Sequence, residues 1–253
     1  MTVELTLLAL VPIAFACEFV DTSIGMGYGT MLAPILLLMG YEPATVVPAI
    51  LVSECFTGIL GAYSHHSFKN ANFSRHSLDT RVALVLIIFT VGGTVAAVWI
   101  ASLLPQEIVK IWISAIVIGM GVFLLLTWRS KPRFSWLKVC GLGALASFNK
   151  GASGGGFGPL VMGGQMLSGI GVKNAIGITS LAEGVTCIVG VVMYYLFWKN
   201  AVWALAPWIT VGAVCAVPLA AKTLHRLPEK AAKIIAAVVI LCLGATALVK
   251  ALA

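Results

Sequence analysis

Residues 149–159 read NKGASGGGFGP, a glycine run directly behind a lysine, in a chain that is 60% hydrophobic. Glycine beside lysine is the composition of a phosphate cradle. A P-loop, however, needs Gly-Lys-Ser/Thr after four spacer residues, and here the lysine precedes the glycines. A dinucleotide fingerprint fails too, because no strand pattern surrounds the run. What the stretch can do depends on the medium around it.

Composition decides the medium. Of 253 residues only 10% are charged, and the mean hydropathy is +1.04, whereas soluble domains carry about 25% charged residues. Apolar runs such as Val82–Ala101, Ile108–Trp128 and Lys233–Val249 approach the ~20 residues that cross ~30 Å of hydrocarbon. The chain reads as an all-α, polytopic membrane protein. The first segment carries Glu4 in place of a basic leader region and is expected to stay as a membrane helix. The six cysteines lie in apolar stretches without CxxC spacing and read as small hydrophobes. No metal site or cofactor is expected, and the net charge of +7 needs no nucleic acid to explain it.

The glycine run has an echo. At an offset of 129, residues 17–61 align without gaps on 146–190, matching Gly25, Gly27 and Gly29 with Gly154, Gly156 and Gly158. Glu54 falls on Glu183 and Thr57 on Thr186, while Asp21 falls on Lys150. Two homologous halves are expected, 1–128 and 135–253, joined by a basic linker at 129–134. Each half predicts a helix (about 5–22; 136–149), a glycine break, and a short apolar piece (about 29–39; 159–168). Three longer helices follow (44–65, 80–101, 106–128; 173–197, 201–222, 229–250). A piece of that short length rises ~16 Å, half a bilayer, so helix and piece predict a half-membrane hairpin.

Lysine and arginine set the orientation. Placing 64–81, 127–138, 169–173 and 222–233 in the cytoplasm puts twelve basic residues there. Lys110, Lys199 and Lys250 remain outside, and Lys150 lies within the membrane. The N-terminus is then outside, the linker is cytoplasmic, and the halves have inverted topology, as in secondary transporters. Tyr63, Trp128, Trp136, Trp198 and Trp203 fit interfacial belts, as do His65, His66 and His76 at a helix end.

At each break a half-helix starts near the midplane, the second one at Pro159, where a missing N–H costs nothing. Unpaired amides and the positive dipole end face inward, which suits an anion. The candidate binding residues are Gly25, Gly27, Tyr28 and Gly29 in the first half, and Asn149, Lys150, Ser153, Gly154, Gly156, Phe157 and Gly158 in the second, with Thr57 and Thr186. Asp21, Glu54 and Glu183 are the candidate coupling or proton residues, since an ionised group at this depth costs ~3 kcal/mol and is functional by default. Other readings stand beside this one. The glycines serve close helix packing, Asp21 and Lys150 neutralise each other, or the glutamates are hydrogen-bonded fixtures. Three acids around one lysine also fit a cation or proton channel.

The chain resembles the TauE/SafE family, the sulfite and organosulfonate exporters also called TSUP permeases. The resemblance rests on GMGYGTMLAPILLLMGY and GASGGGFGPLVMGGQMLSGIG, followed by SECFTGILGAY and AEGVTCIVGVV. It implies a non-enzymatic secondary transporter, an exporter of a small sulfur oxyanion, in a prokaryotic inner membrane. The implied partners are that anion and the lipid bilayer, with a homodimer left open. The first half departs from the family's longer glycine run and proline at GMGYG, and acids occupy positions 21, 54 and 183.

Overall fold

The computed structural model describes residues 2–25, 27–127, 135–198 and 203–223, with scattered positions from 238 to 252. Every element among them is helical: α1 (Thr2–Ile24), α2 (Tyr28–Leu38), α3 (Pro43–Ser67), α4 (Leu78–Leu103), α5 (Gln106–Thr127), α6 (Trp136–Ser153), α7 (Phe157–Leu167), α8 (Val172–Phe197) and α9 (Ala206–Thr223). The linker at 129–134, Trp128 and most of the helix expected at 229–250 lie outside the described residues. Five described helices are long and apolar enough to cross a membrane: α1, α3, α4, α8 and α9. At 23 residues α1 is itself long enough to cross, so the half-membrane length belongs to the 11-residue helices α2 and α7 rather than to the first helix of the hairpin.

Local sequence explains the helix ends. Pro43 opens α3, where its missing N–H is harmless. Ser77 caps α4 by accepting from the Thr80 amide at 3.1 Å. Helix α6 runs four residues further than its apolar pattern predicts and stops where Gly154 takes a left-handed φ of 71°. Lys150 is therefore helical, one turn before the break. Helix α7 begins at Phe157, which makes Pro159 its third residue and not its first. The ends Ile24, Tyr28, Leu38 and Pro43 stand 129 residues before Ser153, Phe157, Leu167 and Val172. At the same offset the Tyr41 amide donates to the Leu36 carbonyl and the Ile170 amide to the Gln165 carbonyl.

Helix α1 packs on α9, α4 on α6 and α8, and α3 on α8 and α9. Apolar membrane helices gain little from burying more apolar surface, so close backbone approach decides their contacts. Small residues provide it. A Cβ on Gly58 of α3 would stand 2.6 Å from the Gly184 Cα of α8. On α9, Gly212 presses on the Val11 backbone of α1. Gly58→Val is expected to lower the melting temperature of detergent-purified protein sharply, since overpacking against backbone costs ~1–3 kcal/mol or more. Gly119→Ala, with nothing within 4 Å of its would-be Cβ, should melt like the parent in the same assay.

Candidate functional site

The two glycine breaks meet. A Cβ on Gly155 would lie 2.9 Å from the Gly29 carbonyl carbon and oxygen, and one on Gly29 would overlap the Gly154 carbonyl. Gly25 and Gly27 hold φ of 81° and 136°, their counterparts Gly154 and Gly156 71° and 80°. Only glycine takes such turns without strain. At this point the glycines act in packing, backbone against backbone.

Three amides at the breaks are capped by side chains. The Tyr28 N–H donates to Asp21 Oδ1 at 3.1 Å, so a carboxylate of the protein already sits at the start of α2. The Gly156 N–H donates to Thr30 Oγ1 across the break at 3.0 Å, and the Gly155 N–H to Ser153 Oγ at 3.1 Å. The Ser153 hydroxyl in turn reaches the Asn149 carbonyl. Tyr28 and Phe157 are fully buried, and the Tyr28 hydroxyl lies 2.7 Å from Ser53 Oγ.

Lys150 is the centre of the site. Its side chain leaves α6 one turn before the break, is fully buried, and donates to Glu54 Oε2 of α3 and, at 2.8 Å, to Glu183 Oε1 of α8. The two glutamates, equivalent at the offset of 129, thus converge on one ammonium. The alternative in which Asp21 neutralises Lys150 gives way to this arrangement: Asp21 caps α2 and stays within electrostatic reach of Glu183 and Lys150. Cys187 Sγ approaches Glu54 Oε2 at 3.8 Å, while Glu54 Oε1 has no protein partner.

Thr57 is buried on α3. The Thr186 hydroxyl donates to the Ala182 carbonyl and is paired with Thr90 Oγ1 of α4 at 2.8 Å. Sequence reasoning passed over Glu18, which is 2% exposed and lies within electrostatic reach of Asp21, Glu54 and Glu183. Its signal was available: it precedes Asp21 by three residues and shares its helix face. His65, near the end of α3, is buried within the protein, with Nδ1 3.1 Å from Asn70 Nδ2. Trp198 is likewise buried, stacked on Tyr194 at 5.0 Å. Among the described residues no group of three or more His, Cys, Asp or Glu is placed to hold a metal ion.

Apolar helices around a buried charge cluster define a multi-pass, all-helical membrane protein. The family model for the sulfite exporter TauE/SafE matches residues 10–247, and the chain belongs to that family. It is also similar to a Bacillus subtilis (strain 168) protein described as "Probable membrane transporter protein YtnM", with 25% identity over 223 residues, 83% of this chain and 71% of that one. No solved structure matches the chain. The protein is a membrane transporter and not an enzyme.

Removing one partner of a buried ion pair leaves an uncompensated charge, at ~3–5 kcal/mol. Lys150→Met should therefore melt far below the parent. Adding Glu54→Gln and Glu183→Gln to Lys150→Met should restore most of the loss, read as non-additivity in a thermal-unfolding cycle.

Proposed function

We propose that the protein is a secondary transporter of a small sulfur-containing oxyanion, such as sulfite or an organosulfonate, working by alternating access around Lys150 with proton coupling. The observation that carries this reading is the engagement of one fully buried ammonium by two glutamates from different helices. An anion that binds Lys150 must displace a carboxylate. A displaced carboxylate in the low-dielectric centre is costly unless it takes up a proton. Anion binding and proton uptake are thereby linked at one group. Anion and proton then move together, and the sum of their gradients sets the direction. Export requires an outward anion gradient larger than the opposing proton gradient.

The halves 1–128 and 135–253, joined at 129–134, are read as inverted repeats. Shared helix ends at an offset of 129 support this, as does the exchange of partners, α1 on α9 and α4 on α6. Basic residues favour an outside N-terminus and a cytoplasmic linker. The binding role moves from the glycine amides toward Lys150, with Gly25, Gly27, Gly29, Gly154, Gly156 and Gly158 building the break that brings it to the centre.

A second reading, a cation or proton pathway, is favoured by one observation: Glu18 joins Asp21, Glu54 and Glu183, giving four acids around one lysine. Flux into liposomes separates the two. Sulfite flux with a pH dependence that flattens in Glu54→Gln and Glu183→Gln, and a fall of about tenfold or more in Lys150→Ala, is the result expected from losing a charge-assisted contact. An unchanged pH profile removes the proton role. Cation flux that persists in Lys150→Ala, without sulfite flux in the parent, selects the second reading.

A further inference from the structure

Lys150 and Cys187, whose thiol lies beside Glu54, are both fully buried, so an anion reaches the cluster only if helices part. Helices α3 and α8, which carry Glu54 and Glu183, run antiparallel in close contact. A Cβ on Gly190 would meet the Leu51 side chain at 3.0 Å, and one on Gly61 the Ser180 Cβ at 3.3 Å. One on Gly177 would meet the His65 Cβ at 3.3 Å, where α3 ends and α8 begins. His65 follows Glu54 by eleven residues, about 16 Å of helix. That end of the contact therefore lies half a bilayer from the cluster.

Residues 68–77, which join α3 to α4, are fastened to that end. Their first turn is tight: Lys69 holds a left-handed φ of 58°, and the Asn70 and Ala71 amides return to the His65 carbonyl at 2.8 and 3.2 Å. Among the described residues Lys69 is the one non-glycine with a positive φ. Such a conformation costs energy and persists only while its surroundings hold it. From this turn the segment grips three other helices. Asn70 Nδ2 donates to the Ala221 carbonyl of α9 at 3.2 Å. A Cβ on Gly177 of α8 would stand 2.5 Å from the Ala71 methyl. Asp79 of α4, 6% exposed, accepts on one oxygen from the Asn72 amide at 2.8 Å and from Asn174 Nδ2 of α8 at 2.7 Å. A polar cavity of about 380 Å³ adjoins these contacts, lined by residues 69–72 with His66, Lys173 and Asn174. Water from it can replace the hydrogen bonds when they part.

We infer that residues 68–77 are a strap that holds the Lys150 site shut toward the membrane face on which they lie, and that their release from Gly177 and Asn174 of α8 opens the site to that face. The strap grips α8 by two unlike means. Ala71 against Gly177 is a steric fit that depends on a missing side chain. Asp79 with Asn72 and Asn174 is a charge-assisted clip. Both act at the start of α8, so that end of the helix can swing away from α3 only when both let go. Glu183 lies nine residues beyond Asn174 on the same helix, which couples the strap to the carboxylates that hold Lys150. A site that serves two faces in turn needs a closure of this kind at each face. The inference deepens the alternating access proposed above and rests on it for its purpose, but not for its test.

The test needs no transport, because Cys187 reports access to the cluster. In the full-length protein the other five cysteines are replaced by alanine. Membrane vesicles of either orientation then receive a membrane-impermeant methanethiosulfonate that carries a sulfonate. A version whose sole cysteine comes from Arg75→Cys, exposed on the strap, identifies the vesicles in which the reagent meets the strap's face. Gly177→Ala pushes on Ala71, and Asn174→Asp sets a second carboxylate against Asp79. Each variant, checked for parent-like size-exclusion elution, should label Cys187 about tenfold faster from the strap's face, the scale of losing a hydrogen bond to a charged group. From the opposite face both should label at the parent rate. Adding Ala71→Gly to Gly177→Ala moves the methyl across the contact and should bring labelling back toward the parent. Parent-rate labelling in both single variants, or a rise that is equal from the two faces, overturns the strap. So does a double variant that labels as fast as Gly177→Ala alone. The two single variants act by different chemistry, so the failure of one to fold leaves the other to decide. Absence of sulfite flux in liposomes would count against the proposed substrate and leave this result standing.

Discussion

A single ammonium in the middle of an apolar protein organises this molecule. Lys150 is fully buried, so its charge must be met inside the protein, and Glu54 and Glu183 meet it from helices that α6 otherwise touches little. Dispersion and glycine contacts set how near α3, α6 and α8 can come. The charge sets which registers are tolerable, because sliding any of the three by one turn would strand an ion in hydrocarbon. Specific geometry in a lipid-embedded bundle needs such a constraint, since apolar faces alone pack in many ways.

The glycine breaks serve that constraint. Where Gly29 meets Gly154 and Gly155 there is room for backbone and nothing else. Three of the amides freed by breaking the helices, those of Tyr28, Gly155 and Gly156, are taken up locally by Asp21, Ser153 and Thr30. The break is thus in part a self-capped structural joint, with the buried lysine one turn away. Because that lysine is shared by two acids, its affinity for any anion is tied to the protonation of the cluster around it.

Much of this was legible in the chain. The offset of 129 aligned Glu54 with Glu183 and located the breaks, because glycines with positive φ and buried acids are both chemically irreplaceable and so stand out against apolar sequence. Described helix boundaries came within about five residues, with the largest differences at the start of α9, expected at 201 and found at Ala206, and at the end of α6, where apolar periodicity stops at Asn149 while backbone hydrogen bonding continues to Ser153. Glu18 escaped notice because it sits in a segment readable as a plain membrane anchor. The burial of His65 is not legible because its neighbours in sequence are polar.

Composition and periodicity by themselves determined the medium, the all-helical class and the two matched breaks, since these follow from hydrocarbon thickness and backbone satisfaction, which act on local sequence. Which acid answers Lys150 could only be decided by tertiary structure. Along the chain Asp21 was the one acid offered as a partner for Lys150, and charge pairing depends on separations of a few ångströms between helices that sequence order does not specify.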